Sequence, residues 1–275
     1  MTAPIPAALA AADARVRLDI DGTLARVTLN RPDALNALDV ATSQVLIAVV
    51  DDLVPRVRDG HVRAVLLRAE GRSFCAGGDI TGFTGTPGQR AEVLRQMIPP
   101  LNAALHTLAG LPVPVVSAVN GAVGGGGIGL ALCADLVVAA QSMVLRGGYT
   151  GIGLSPDVGS SWFVTRLVGP ARAKRIFFCN EKIDATTCLQ WGLVSEVVPD
   201  AELQARAHAL AQGLAAGAVR ATGRTKALLD GALDRSLAEQ MALEAEGMVA
   251  SGLDAESSEG VAAFLERRAP DFGRV

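Results

Sequence analysis

The chain has 275 residues, half of them hydrophobic and 19% charged, enough apolar material for a sizeable core and too little charge for wholesale disorder. Lys and Arg number 25 against 28 Asp and Glu, a formal net charge of −3, which argues against nucleic-acid binding as the main role. Aromatics make up only 4% beside 30 glycines and 13 prolines, so the core must be aliphatic and many backbone positions must need glycine.

The opening MTAPIPAALAAADARV is Ala-rich, has no basic residue before Arg15 and is interrupted by Asp13, which fits a frayed terminus better than a signal peptide. Alternation in VRLDIDGTLARVTLNR around Asp21-Gly22 predicts a β-hairpin. Pro32 to Ala37 is a loop, and Asp39 caps a helix through TSQVLIAVVDDLVPRV. Ala64 to Glu70 is a buried strand; a polar, Gly-containing stretch follows, then a helix to about Leu108. Pro112 to Gly121 is the next strand, ending in a glycine cluster. IGLALCAD from Ile128 reads as a buried helix and Leu136 to Gln141 as a strand. Arg172 to Cys179 reads as a helix after Gly169-Pro170, and Trp191 to Pro199 as a strand. From Ala201 onward only helices appear: a run to about Val219, then Thr225 to Gly231, then Leu237 to Val249. The expected organisation is a mixed α/β core over 1–200 and a helical region over 201–275, too short to bury itself and so packed on the core or on another subunit.

Cys75, Cys133, Cys179 and Cys188 form no C-x-x-C pair and have no His at ligand spacing, so reduced core thiols are expected and no metal site. No apolar run reaches the eighteen or so residues of a membrane span, because Asn120 and Asp135 interrupt the longest stretches. A cytoplasmic protein without a membrane partner is the expectation.

Residues 121–129 read GAVGGGGIG, six glycines in nine positions between a strand and a helix. Bare N–H groups at a helix start can hold an anion or a developing oxyanion. Gly124, Gly126 and Gly129 also satisfy G-x-G-x-x-G. A dinucleotide site would need an acidic residue about twenty positions on, where the chain has Arg146-Gly147-Gly148-Tyr149. Close helix–strand packing explains some of the glycines but not four in a row. A second candidate, FCAGGDI (Phe74 to Ile80), directly follows a strand; alone it is an ordinary turn with Asp79 as a cap. Together the two segments offer two sets of backbone donors, and two donors on one oxygen are what enolate chemistry at a carbonyl requires, each worth about 3 kcal/mol in the transition state.

These residues resemble the crotonase superfamily, which includes enoyl-CoA hydratases and isomerases. The resemblance runs from about Val16 onward and rests on NRPDALNAL (Asn30 to Leu38), SFCAGGDI, PVVSAVNGAVGGGGIGLALCAD, GIGLSPDVGSSW, WGLVSEVVP and SEGVAAFLERRAPDF (Ser258 to Phe272). It implies a spiral of ββα units with a C-terminal helical trimerisation region, a homotrimer or dimer of trimers, and an acyl-CoA thioester substrate. Coenzyme A would arrive as part of the substrate, with no permanently bound cofactor. By the resemblance, the oxyanion hole is the N–H groups of Gly78 and Gly126. CoA would meet Asp33, Ala34, Leu35, Ala76, Asp79 and Ile80, and Phe264 and Arg267 would approach the CoA of a neighbouring subunit. Position 33 is often basic in such proteins, and Asp33 cannot pair a phosphate. That leaves Arg31 as the nearby cation, or one that the sequence does not locate.

The hydratases use two glutamates flanking a water; the matching positions here are Gly129 and Tyr149, and neither can be a carboxylate base. Both are expected to line the acyl pocket, Tyr149 with its phenol free to donate a hydrogen bond. The carboxylate in the right neighbourhood is Asp157, where similar segments of ring-opening and enoyl isomerases and of aryl-CoA dehalogenases carry an Asp. As an acid/base it would shift a double bond; the plainer reading of Pro-Asp-x-Gly is a turn or helix cap. Dehalogenases make this Asp a nucleophile and add a His, for which His106 is the candidate. The leading expectation is an enoyl-CoA isomerase. The alternatives are a hydratase with a different base, another lyase or hydrolase of this fold, and an acyl-CoA-binding protein without activity.

Overall fold

The computed structural model describes residues 4–274. Within the terminus expected to fray, residues 1–3 lie outside the described residues, while α1 (Ala7–Ala10) forms one turn and buries Leu9. The hairpin forms as β1 (Val16–Asp21) and β2 (Leu24–Leu29), paired antiparallel from Val16↔Leu29 to Asp21↔Leu24. From β2 onward the main sheet is parallel. The chain passes through α2 (Val40–Arg58) to β3 (Ala64–Ala69), and through α3 (Pro87–Ala109) to β4 (Val115–Val119). Two further parallel strands, β6 (Leu136–Ala140) and β9 (Glu196–Val198), complete the order β1-β2-β3-β4-β6-β9. Asp39 caps α2 as expected, its carboxylate accepting from the Thr42 N–H at 2.7 Å.

Successive side chains of a strand point to opposite faces, and both faces of this sheet are covered. Val65 and Leu67 of β3 pack with Leu46, Val49 and Leu53 of α2. Ala64 and Leu66 pack on the other side against Leu203, Ala207, Ala211 and Ala215 of α7 (Leu203–Ala215). The spacing of four puts those small residues on one stripe, which lets α7 lie close to the sheet. Cover on both faces explains why the strands read as continuous apolar runs.

A second, three-stranded sheet holds β5 (Ala122–Gly124), β7 (Val144–Arg146) and β8 (Ile183–Asp184) in the order β5-β7-β8. The strand expected over Pro112–Gly121 is therefore split: β4 stays in the main sheet and β5 crosses to the second. α4 (Gly126–Leu132) follows β5. The helix expected from Arg172 to Cys179 does follow a break at Gly169 (φ 75°, ψ 165°), with Pro170 opening it, and a further helical stretch from Ser160 precedes that break; the two are taken together as α5 (Ser160–Cys179). The strand expected over Trp191–Pro199 is confined to β9. Trp191 instead ends α6 (Ala185–Trp191), where left-handed Gly192 donates back to the Cys188 and Leu189 carbonyls.

Beyond α7 lie α8 (Val219–Gly231), α9 (Leu237–Gly252) and α10 (Ala255–Glu266). Asp135 ties α8 to the sheet: it accepts from the Val115 N–H at 2.7 Å and pairs with Lys226 at 2.9 Å. No helix among the described residues is long and apolar enough to cross a membrane.

Candidate active site

The two glycine segments meet. Cys75 and Val123 form a β-bridge, the Gly124 N–H donates to the Cys75 carbonyl at 3.0 Å, and Cys75 N–H donates to Ala122 at 3.3 Å. A Cβ on Gly77 would stand 2.8 Å from the Gly124 carbonyl oxygen, so only glycine permits this approach. The loop before α2 joins on the other side: Leu38 N–H donates to Gly77 at 2.8 Å, Asp79 N–H to Leu38 at 2.9 Å, and Ala76 N–H to Leu35 at 3.1 Å. Leu35 is thereby set beside Ala76, and Leu38 beside Gly77 and Asp79, with Asp33 and Ala34 in the turn just before Leu35. Neither the Gly78 nor the Gly126 N–H donates to another described residue.

A cavity of about 610 Å³ opens beside these glycines. Ala76, Gly78, Ile80, Gly125, Tyr149 and Asp157 line it, with Phe83, Met97, Ile98 and Leu154 supplying apolar wall. Asp157 is the only carboxylate among its described lining residues, and Arg95 the only cation. The Asp157 carboxylate lies over the glycine turn, for a Cβ on Gly126 would be 3.4 Å from Asp157 Oδ1. Burial raises the Asp157 carboxyl above the ordinary carboxylate range, and a hydrogen bond from Tyr149 pulls it partly back.

Tyr149 is buried, and its hydroxyl donates to Asp157 Oδ1 at 2.7 Å. The Tyr149 hydroxyl oxygen also lies 3.0 Å from Ser160 Oγ, which in turn can donate to the Gly125 carbonyl at 3.2 Å. Burial, with the neighbouring Asp157 carboxylate, pushes the Tyr149 phenol up, so it stays protonated and acts as a donor. Asp157 also begins the tight turn into α5, its carbonyl accepting from the Ser160 N–H at 2.9 Å. The turn and the cavity-facing carboxylate are two properties of one residue.

Three expectations are corrected here. Gly129 does not line the cavity: it faces the Val158 backbone, where an added Cβ would stand 1.7 Å from the carbonyl oxygen. Arg31 is not a free cation for a phosphate. It donates to Asp79 Oδ2 at 3.0 Å and to the Ala37 carbonyl at 2.8 Å, and pairs with Asp39 at 3.2 Å. Asp79, held by Thr81 and Arg31, sits below the ordinary carboxylate range. His106 lines a different cavity, between α3, α5 and α8, and is not beside Asp157. Phe264 is 82% exposed and, like Arg267, lines no part of its own chain's cavity.

Ser160 was not singled out by the sequence, although a hydroxyl three residues after Asp157 at a helix start is a recognisable pattern. The α3 wall, Leu94, Met97 and Ile98, follows helical spacing on a helix that was expected, but nothing in its pattern marks it as pocket rather than core. Cys75, Cys133 and Cys188 are buried, which pushes each thiol up to about 12; none is a nucleophile at neutral pH. No group of three His, Cys, Asp or Glu among the described residues could hold a metal ion.

Known proteins show the same architecture. The family described as enoyl-CoA hydratase/isomerase matches residues 19–274. A Rhodobacter capsulatus protein named "Probable enoyl-CoA hydratase" is 41% identical, over 94% of this chain and 97% of that protein. The 1,2-epoxyphenylacetyl-CoA isomerase of Escherichia coli is 34% identical, over 90% of this chain and 93% of its own. The crystal structure of an enoyl-CoA hydratase from Polaromonas sp. JS666 superposes with a TM-score of 0.87 at 32% identity, covering 93% of this chain and 98% of that one. The fold is therefore that of the crotonase superfamily, whose enzymes take CoA thioesters. Within it, the chain belongs to the enoyl-CoA hydratase/isomerase family.

Proposed function

We propose that the protein is an enoyl-CoA isomerase in which Asp157 moves a proton along the acyl chain. The observation that carries this reading is the cavity's single described carboxylate, set over the glycine turn. The thioester carbonyl oxygen would accept from the Gly78 and Gly126 N–H groups, each typically worth about 3 kcal/mol to a developing oxyanion. Asp157 takes the proton from the carbon beside the carbonyl of a 3-enoyl-CoA. The C–H pair enters the conjugated dienolate, and the oxyanion hole holds its charge. Asp157 then returns the proton two carbons further on, leaving the 2-enoyl thioester.

CoA would lie against the 33–35 and 76–80 segments, and Phe264 and Arg267 would reach it from a neighbouring copy in a homotrimer or dimer of trimers. Hydration is the second reading, favoured by the name of the R. capsulatus relative. It has to activate a water, and besides Asp157 the described cavity wall offers no second carboxylate for that step. A dehalogenase reading loses support because His106 opens onto the other cavity.

Incubation with 3-enoyl- and 2-enoyl-CoA, with double-bond migration and water addition followed separately, tests the assignment. Wild type should migrate the double bond, and Asp157→Asn should lose at least about 100-fold of that rate. Rapid hydration that survives Asp157→Asn would overturn the isomerase reading.

A further inference from the structure

Asp157 presents two unequal oxygens. Oδ1 accepts from the Tyr149 hydroxyl at 2.7 Å, whereas Oδ2 accepts no hydrogen bond from any other described residue. The phenol has one proton, and the short contact assigns it to Oδ1. Tyr149 oxygen can then accept from Ser160 Oγ, 3.0 Å away, and Ser160 has the Gly125 carbonyl at 3.2 Å as its other acceptor. The Tyr149 ring also packs against Phe177, centroid to centroid 6.1 Å.

From this asymmetry, and resting on the reading of Asp157 as the base, we infer that Tyr149, braced by Ser160, is the positioning residue of the reaction. It holds Oδ1, so that Oδ2 alone collects the proton from the substrate and alone gives it back. In the first half-step the C–H bond breaks and an Oδ2–H bond forms. In the second, Oδ2–H breaks and the new C–H forms further along the chain, with no oxidant or co-reactant involved. Because Oδ1 stays hydrogen-bonded throughout, the carboxyl does not rotate, and the proton is shielded from exchange during its short stay on Oδ2.

The charged and titratable neighbours are few. Tyr149 faces Asp157 from the segment after β7, Arg95 lines the same cavity from α3, and α4 contributes no charged residue. Ser160, at the start of α5, carries no charge. Removing the phenol therefore removes the main group that stabilises the carboxylate form.

The test uses Tyr149→Phe, which keeps the ring, and Ser160→Ala, beside Asp157→Asn. With 3-enoyl-CoA, Tyr149→Phe should lower kcat about 10- to 100-fold while KM changes less than about 3-fold. The sign of the pH effect follows from the lost donor: the carboxylate becomes harder to form. The acid limb of kcat/KM should move to higher pH by about one unit. With substrate deuterated beside the carbonyl, the share of label carried into the product should fall toward the solvent value. Ser160→Ala should move the same three readouts in the same direction and by less, and it serves alone where Tyr149→Phe does not fold. An unchanged acid limb and unchanged label retention in the variants that fold would overturn the positioning role while leaving an inactive Asp157→Asn as support for the base. Full isomerisation by Asp157→Asn would instead remove the base reading itself.

Discussion

A methyl group on Gly129 would stand 1.7 Å from the Val158 carbonyl oxygen and 3.2 Å from the Ser160 N. The chain reaches so close because the turn carrying Asp157 is driven down onto α4. Val158 pays for that position with φ 50°, a left-handed conformation that is unfavourable for a β-branched residue. Its side chain is buried, and the Ser160 N–H to Asp157 bond closes the turn. The absent glutamate at 129 and the present aspartate at 157 are thus one arrangement: the turn that aims Asp157 fills the room a side chain at 129 would use. Gly129→Ala should therefore cost roughly 3 kcal/mol of stability, read from urea or thermal unfolding, and Gly129→Glu should add no hydration of 2-enoyl-CoA. A Gly129→Ala protein within about 0.5 kcal/mol of wild type would show that the turn yields easily and that this coupling is wrong.

At the scale of elements, α8 starts at Val219 behind Ala218, which has no side chain able to cap it. The cap comes from α10 instead, where buried Glu256 accepts from the Arg220 N–H at 3.0 Å and the Ala221 N–H at 3.1 Å. Removing the carboxylate leaves two donors of a helix start unpaired. Glu256→Ala should lose about 2 kcal/mol and speed hydrogen exchange in the first turn of α8, with Glu256→Gln recovering part of both. Unaltered exchange there would refute the cap. Such a contact links residues 36 apart, and no local pattern announces it. The same limit explains which parts of the fold were legible. The hairpin, α2 and the apolar strands β3, β4 and β6 declare themselves by alternation, a capping Asp39 and length. β7 and β8, of three and two residues, are too short for a period to show, and their sheet exists only by pairing across the site. Gly78, Gly126 and Asp157 were visible as residue types in motifs. The direction of the Asp157 carboxylate was not, because it depends on Tyr149 and Ser160 and on how closely the turn approaches Gly129.

At the scale of the whole molecule, the unresolved tension is apolar surface at one end. α9 buries none of its residues, and Leu237, Met248 and Val249 stand largely exposed along it. Leu253, 86% exposed, follows, and α10 adds Val261, Phe264 and Leu265. A monomer rarely leaves so many large apolar side chains exposed on two successive helices, and covering them is the usual source of association free energy. The polar contacts already present, Arg224 of α8 with Asp254 and Arg268 with Glu259 of α10, hold the two ends of α10 and leave these apolar side chains uncovered. Self-association through this face fits the homotrimeric assembly proposed above, and it would bring Phe264 and Arg267 toward a neighbour's substrate. Sedimentation at micromolar concentration should accordingly give an oligomer, a trimer or hexamer. Leu253→Asp, which buries a carboxylate in any such contact, should shift it toward monomer and lower the unfolding temperature. Since the cavity with Tyr149 and Asp157 is built within one chain, the dissociated variant should mainly raise KM for acyl-CoA and retain most of kcat. A wild-type protein that sediments as a monomer at tens of micromolar, or a monomeric Leu253→Asp variant with unchanged KM, would detach the helical region from both assembly and substrate binding.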